Sequence, residues 1–169
     1  AAQAAGWAIR DSVETYATFE QQIATLGAVS GATGSELLEL EADARRLGET
    51  TQFTATQIAG LQTNLARLGF NSQEILDSTA AIADLSIATG EDIEEAGKII
   101  GQTIRAYGLE ASQAGEVADI LTQSFNSSAL QLNTFAEASK LLAPVSRTLG
   151  VSLSESTAAI ALLTDNGLE

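Results

Sequence analysis

The chain has 169 residues, of which 45% are hydrophobic and only 5% aromatic, so its length and composition predict a folded chain with a core built mainly from alanine and leucine. The 22 acidic and 8 basic residues give a net charge of −14, which argues against binding nucleic acid through its phosphates or docking on an anionic membrane. Cysteine, histidine and methionine are absent, which excludes disulfides, thiolate or imidazole metal sites, and Ser-His-Asp triads.

Apolar residues recur every three or four positions along the whole chain, and the alternation typical of strands is missing. This spacing predicts an all-α fold of about eight amphipathic helices packed in antiparallel hairpins, with a long helix at the N-terminus. In chain order, the apolar stripes of these helices begin at Ile9, Leu37, Ile58, Ile75, Ile93, Val117, Leu132 and Leu153.

Glycines and hydroxyl residues predict where these helices end and begin. Glycine closes helices well because it readily adopts the left-handed conformation. The glycines expected at helix ends are Gly27, Gly48, Gly69, Gly90, Gly108 and Gly150. Segments 54–57 and 152–155 fit the capping box, and Ser72 and Ser112 are expected to be simpler N-caps.

Two features of the later helices leave alternatives open. Pro144 lies inside the seventh helix and is expected to kink it or to end its first half. Gly97 and Gly101 give the fifth helix a bare face. This face fits close packing within the fold, which is the favoured interpretation, or a contact between copies of the chain.

The acidic residues give no convincing site. Residues 91–95 read Glu-Asp-Ile-Glu-Glu, and four carboxylates can hold a hard cation such as Ca²⁺. Their spacing departs from the EF-hand loop, however, and negative charge is favoured at a helix start, which is the interpretation adopted. The acidic residues of the second helix expected to face water are Glu36, Glu39, Glu41 and Asp43. No P-loop, dinucleotide fingerprint or S-x-x-K motif occurs, so the sequence predicts no enzyme activity and no catalytic, cofactor-binding or metal-binding residue.

Several short segments between Leu37 and Gly167 follow one another in a characteristic order. Residues 47–55 read LGETTQFTA, 65–70 LARLGF, 106–111 AYGLEA, 117–121 VADIL and 143–155 APVSRTLGVSLSE. In this order they resemble the core domain of tail tape-measure proteins from long-tailed phages and prophages. The departures are small: Tyr107 stands where that family usually has phenylalanine, and Ser146 where it usually has alanine. The chain stops before the segment that usually follows the last helix.

The resemblance implies a structural role without catalysis. It implies part of the protein that sets tail length and templates the tail tube from inside the lumen, assembled in the host cytoplasm and located in the tube or at its baseplate end. Implied partners are tail-tube and baseplate or hub proteins, tail assembly chaperones and further copies of the chain. The implied division is an N-terminal helical segment, 1–34, and a core domain, 35–169, truncated at its C-terminal end. The alternative is a helical interaction or scaffold module outside phages.

The first helix offers a candidate seam between copies. Its heptad positions are Ile9, Tyr16 and Ile23, with Val13 beside them, as in a coiled coil. Because an axial tail protein generally matches the symmetry around it, three copies are the first choice and six the second. Phe19 and Leu26 widen the stripe, so the alternative is that this helix packs on its own domain.

Overall fold

A computed structural model describes the backbone of residues 2–167 and the side chains of residues 14–167. Within the described backbone the fold is entirely helical, without a strand, which confirms the predicted all-α class. The elements are α1 (Ala2–Ser30), α2 (Ser35–Thr50), α3 (Ala55–Arg67), α4 (Ser72–Thr89), α5 (Ile93–Tyr107), a 3₁₀ helix (Ala111–Gln113), α6 (Ala114–Ser127), α7 (Leu132–Leu149) and α8 (Leu153–Asp165). No helix in the described part of the chain is long and apolar enough to cross a membrane.

The helices form two compact units, Ala1–Ser72 and Gln73–Glu169. In the first unit, α3 packs against both α1 and α2. Fully buried side chains from all three helices meet there, among them Leu26, Leu40 and Leu61. The predicted boundary between residues 34 and 35 falls in the turn between α1 and α2, inside this unit, and the division at that position stays a prediction.

In the second unit, α5 packs against α6 and α7, and α8 packs against the same two helices. Ile100, Leu121 and Phe135 are fully buried in it. The buried hydroxyl of Thr157 is accommodated locally, since its Oγ1 donates to the carbonyl oxygen of Leu153 one turn earlier, at 2.8 Å. Local bonds of this kind satisfy a polar group that would otherwise cost free energy when buried.

The helices end within three residues of the glycines expected at their ends, but not every one of these glycines closes its helix. Gly108 and Gly150 close α5 and α7 in the left-handed conformation, with φ of 68° and 72°. Gly27 and Gly48 instead lie inside α1 and α2, which continue to Ser30 and Thr50. Their role is close packing, because a Cβ at Gly48 would lie 2.6 Å from the Ala55 nitrogen.

The two capping boxes are confirmed. Thr54 Oγ1 accepts from the Gln57 amide at 3.2 Å, and Gln57 Oε1 accepts from the Thr54 amide at 2.9 Å. Residues 152–155 make the same reciprocal pair of bonds at the start of α8. These four bonds satisfy amides that have no partner within the helix.

The two simpler caps were wrongly predicted. Ser72 is the first residue of α4 instead of the residue before it, because the helix begins directly after Asn71, another residue type that caps helices. Ser112 lies in the middle of the 3₁₀ turn. There the amide of Glu110 donates to Gln113 Oε1 at 2.9 Å, so Gln113 and not Ser112 satisfies the start of the turn.

The box at α8 gives a pH prediction, because one of its members titrates. Bonds from the Ser152 backbone and hydroxyl lower the pKa of the Glu155 carboxyl below its ordinary value of 4.5. The bonds favour the charged form in the folded state, so their contribution to stability is present above pH 4.5 and is lost as the pH falls through the lowered pKa. We expect Glu155→Gln, which keeps an acceptor but does not titrate, to lose less stability than the wild type on acidification.

Urea unfolding of both chains between neutral pH and pH values below 4.5 measures this difference. The matched control is Gln57→Glu, which places a carboxyl in the corresponding box at α3 and should add the same kind of acid sensitivity there. Parallel pH profiles for the wild type and Glu155→Gln would contradict the prediction.

Candidate interaction surfaces

The acidic run at residues 91–95 lies at a helix start, as predicted. Asp92 caps α5, and its Oδ1 accepts from the amides of Glu94 at 2.9 Å and Glu95 at 3.3 Å. Glu95 in turn pairs with Lys98 at 3.0 Å. In the described part of the chain, no three or more acidic side chains are grouped so that they can hold a metal ion. The run therefore serves the backbone of α5, and the prediction that it binds no metal stands as a prediction.

Asp43 differs from the expectation that the acidic residues of the second helix face water. Its side chain is only 10% exposed, and it pairs with Arg46. Its Oδ2 accepts from Gln62 Nε2 on α3 at 3.2 Å. Because Gln62 is fully buried and its amide needs an acceptor, α3 draws this carboxylate into the contact between α2 and α3.

One residue of the seam predicted on α1, Ile23, is buried within the first unit. Phe19, Ile23 and Leu26 are all at most 5% exposed, on a helix that packs against α3. Tyr16 remains exposed and lies beside Arg45, whose guanidinium carbon is 6.0 Å from its ring centre. Ile9 and Val13 lie outside the described side chains. The structure therefore corrects the heptad interpretation at Ile23, because the wider stripe with Phe19 and Leu26 faces the chain's own α3.

The bare face of α5 supports the packing interpretation. Gly97 and Gly101 are both buried in a helix that packs against α6 and α7. A buried face is not available to another copy. Small residues here let neighbouring backbones approach closely, which is the alternative that the sequence favoured.

Pro144 does not divide the seventh helix. α7 runs without interruption from Leu132 to Leu149 and ends five residues after the proline, so of the two expected alternatives the one in which its first half ends there was wrong. The turn after the proline is supported locally, since Thr148 Oγ1 donates to the Pro144 carbonyl at 2.9 Å. The helix tolerates the missing amide, and its C-terminal part carries exposed apolar residues.

A groove with a volume of about 800 Å³ lies between α7 and α8. Leu141, Leu142, Ile160 and Leu163 line it. Of the eleven large hydrophobic side chains that are exposed in the described part of the chain, seven lie between residues 141 and 163. Most of the exposed large hydrophobic side chains in the described part of the chain therefore lie in the hairpin of α7 and α8.

α7 has two apolar faces. One is buried in the second unit and includes Phe135 and Ala143. The other carries Leu142, Val145 and Leu149 at spacings of three and four, and all three are exposed. The sequence analysis missed this second face, although its spacing is helical, because one helix usually shows a single apolar stripe.

A buried pair of serine hydroxyls connects the two helices that form the groove. Ser146 on α7 and Ser156 on α8 are both buried, and their hydroxyl oxygens are 2.9 Å apart, within hydrogen-bond distance. Ser156 Oγ also donates to the Ser152 carbonyl at 2.9 Å. A buried polar pair of this kind links the two helices that form the groove.

Comparison with known proteins identifies the family. The family model described as "Phage-related minor tail protein" matches residues 41–169. The chain belongs to this family. A minor tail protein is a component of the virion, so the membership agrees with the resemblance to tape-measure proteins and supports a structural role in a phage tail.

Two relatives of this minor tail protein carry more specific names. The chain is 35% identical over 158 residues to the "Tape measure protein" of Pneumococcus phage Dp-1, covering 94% of this chain and 14% of the relative. It is 28% identical over 149 residues to the "Probable tape measure protein" of Escherichia phage P2, covering 87% of this chain and 18% of the relative. The chain thus spans less than a fifth of the length of either relative. No solved structure matches it significantly.

Proposed function

We propose that this minor tail protein chain is a folded domain of a tape-measure protein, which sets tail length and templates the tail tube from within its lumen. The observation that carries the proposal is the similarity to the phage Dp-1 protein along 94% of the chain. The absence of histidine and cysteine from the sequence agrees with a structural role, and we propose that the domain has no enzyme activity.

The fold supports a role other than that of the ruler, by which we mean the extended part of a tape-measure protein whose length sets the length of the tail. A continuous helix of 169 residues would reach about 250 Å at about 1.5 Å per residue. The longest helix in the described part of the chain is α1, with 29 residues, which gives about 43 Å. Because the chain folds back at each turn into compact units, the domain adds little to the length that the whole protein measures.

The proposed surroundings follow from the tail role. We place the domain inside the tube or at its baseplate end, in contact with tail-tube, baseplate or hub proteins and with other copies of itself, three by first choice and six by second. Tail assembly chaperones would hold the protein in the host cytoplasm before assembly. The net charge of −14 suits a component that must leave the path of DNA, since like charges repel.

Removing most of the second unit from the phage-encoded protein tests the proposal. An in-frame deletion of residues 73–165 should block tail assembly, or give non-infectious particles whose tails keep their normal length. A deletion of equal size in a continuous helical part of the same protein should shorten the tail by roughly 140 Å. Electron microscopy of purified tails and plaque counts measure both outcomes.

Two results would overturn the proposal. Tails shortened by the full roughly 140 Å after deletion of residues 73–165 would show that this region is part of the ruler. Particles of normal length, yield and infectivity would show that the domain has no role in the tail.

A further inference from the structure

We propose that a second copy of this chain packs on the groove between α7 and α8. The groove is large enough to receive a helix face, and four of its ten lining residues are leucine or isoleucine. Leu141, which lines it, is 79% exposed, and Leu149 on the same helix is 71% exposed. Exposed large apolar side chains grouped on one part of a folded surface are candidate sites of association.

The charge distribution identifies the occupant. Residues 132–165 contain three acidic and two basic residues, for a net charge of −1, although the whole chain carries −14. Two chains of the same strong negative charge repel each other over most of their surface, and they meet at least electrostatic cost where that charge is nearly absent. A basic partner would be drawn to the acidic surface elsewhere, whereas the groove combines low charge with exposed apolar side chains, so that two copies can approach there.

The charged residues at the rim of the groove also allow two copies to meet there without repulsion. Glu137 and Lys140 both line it and form an ion pair within one chain. In a symmetric contact, the acid of one copy can approach the base of the other, so that neither rim places like charges together. The stripe of Leu142, Val145 and Leu149, spaced by three and four residues, is the helix face that such a groove accepts.

This inference rests on the proposed function only in that both involve several copies of the chain. The inference places the contact between copies at the hairpin of α7 and α8 instead of at α1, where Ile23 is buried. Association of the 169-residue chain in solution is measured without any phage. A monomeric chain would therefore defeat the inference and the proposed contact between copies, but not the proposed tail role, which an unaffected tail in the deletion experiment would defeat.

Sedimentation equilibrium of the 169-residue chain over a range of concentrations tests the contact. The wild type should self-associate, and Leu141→Glu should raise the dissociation constant at least tenfold, which corresponds to about 1.4 kcal/mol. Because Leu141 is exposed, the helix content measured by circular dichroism should not change. The same experiment gives the number of copies in the assembly.

Two further variants separate the local contact from overall charge. Leu38→Glu is the matched control, since Leu38 is 64% exposed on α2 and the substitution changes the net charge by the same amount. It should leave the dissociation constant within about twofold, because exposed substitutions remote from a contact have small effects. Leu141→Arg makes the chain less negative and should still weaken association if burial of Leu141 is the cause.

A wild-type chain that remains monomeric up to about 1 mM, near the weakest specific affinities, would overturn the inference. Equal loss of association in Leu38→Glu and Leu141→Glu would overturn it as well, since the effect would then come from net charge. Tighter association of Leu141→Arg than of the wild type would lead to the same conclusion.

Discussion

Replacing Phe135 with alanine should lower the free energy of unfolding of the second unit by about 3–5 kcal/mol. Phe135 is fully buried on α7, and its ring meets that of Phe125 on α6 edge to face, with ring centres 6.4 Å apart. The substitution removes the transfer free energy of a large side chain, leaves a cavity that the surrounding helices fill only partly, and ends the aromatic contact. Urea unfolding followed by circular dichroism at 222 nm measures the loss.

Leu141→Ala provides the control on the same helix. It also shortens an apolar side chain to alanine, but Leu141 is 79% exposed, so its effect should stay within about 0.5 kcal/mol. Both variants should be compared at low protein concentration, where association of copies does not contribute. If Phe135→Ala cost no more than Leu141→Ala, the buried position of Phe135 would be wrong.

Replacing Gly48 with alanine should destabilise the first unit by about 1–3 kcal/mol, although alanine is the better helix former. A Cβ at this position would lie 2.6 Å from the nitrogen and 2.9 Å from the Cα of Ala55, the first residue of α3. These are backbone atoms, so the clash is relieved only by moving α3 away from α2. Thermal unfolding of the variant should show a lower midpoint than the wild type.

Gly115→Ala is the matched control and should act in the opposite direction. Gly115 lies in α6, and a Cβ there would meet only the Ala81 Cβ, at an ordinary 3.9 Å. With no clash to oppose it, the gain in helix propensity should stabilise the second unit by about 0.5–1 kcal/mol. A stabilising effect of Gly48→Ala would show that α2 and α3 are not in this close contact.

The helices of this fold could be predicted from the sequence more completely than the contacts between them, as Gly48 shows. Helical spacing and the capping boxes at Thr54 and Ser152 depend on residues within one or two turns, and the structure confirms them. Gly108 and Gly150 close helices as expected. Gly48 also lies near a helix end, but glycine is required there because the backbone of Ala55 in the next helix lies too close for a Cβ. This contact between two helices cannot be read from the local sequence.

The candidate surface was harder to predict for a related reason. On α1, a heptad stripe and a stripe that packs on the chain's own core contain the same residues, such as Ile23, and only the position of α3 shows which applies. On α7, the buried face with Phe135 and the exposed face with Leu149 are both apolar. Spacing shows that both faces exist, but tertiary packing decides which one remains open.

The hydroxyl pair between Ser146 and Ser156 fixes the register of α7 against α8. Apolar side chains tolerate a shift of one helix along another, whereas moving α8 by one turn would separate these two buried oxygens. Leaving a buried hydroxyl without its partner costs about 1–3 kcal/mol, which makes such a shift unfavourable. The hairpin therefore resists sliding, and each copy of the chain presents a groove of the same shape.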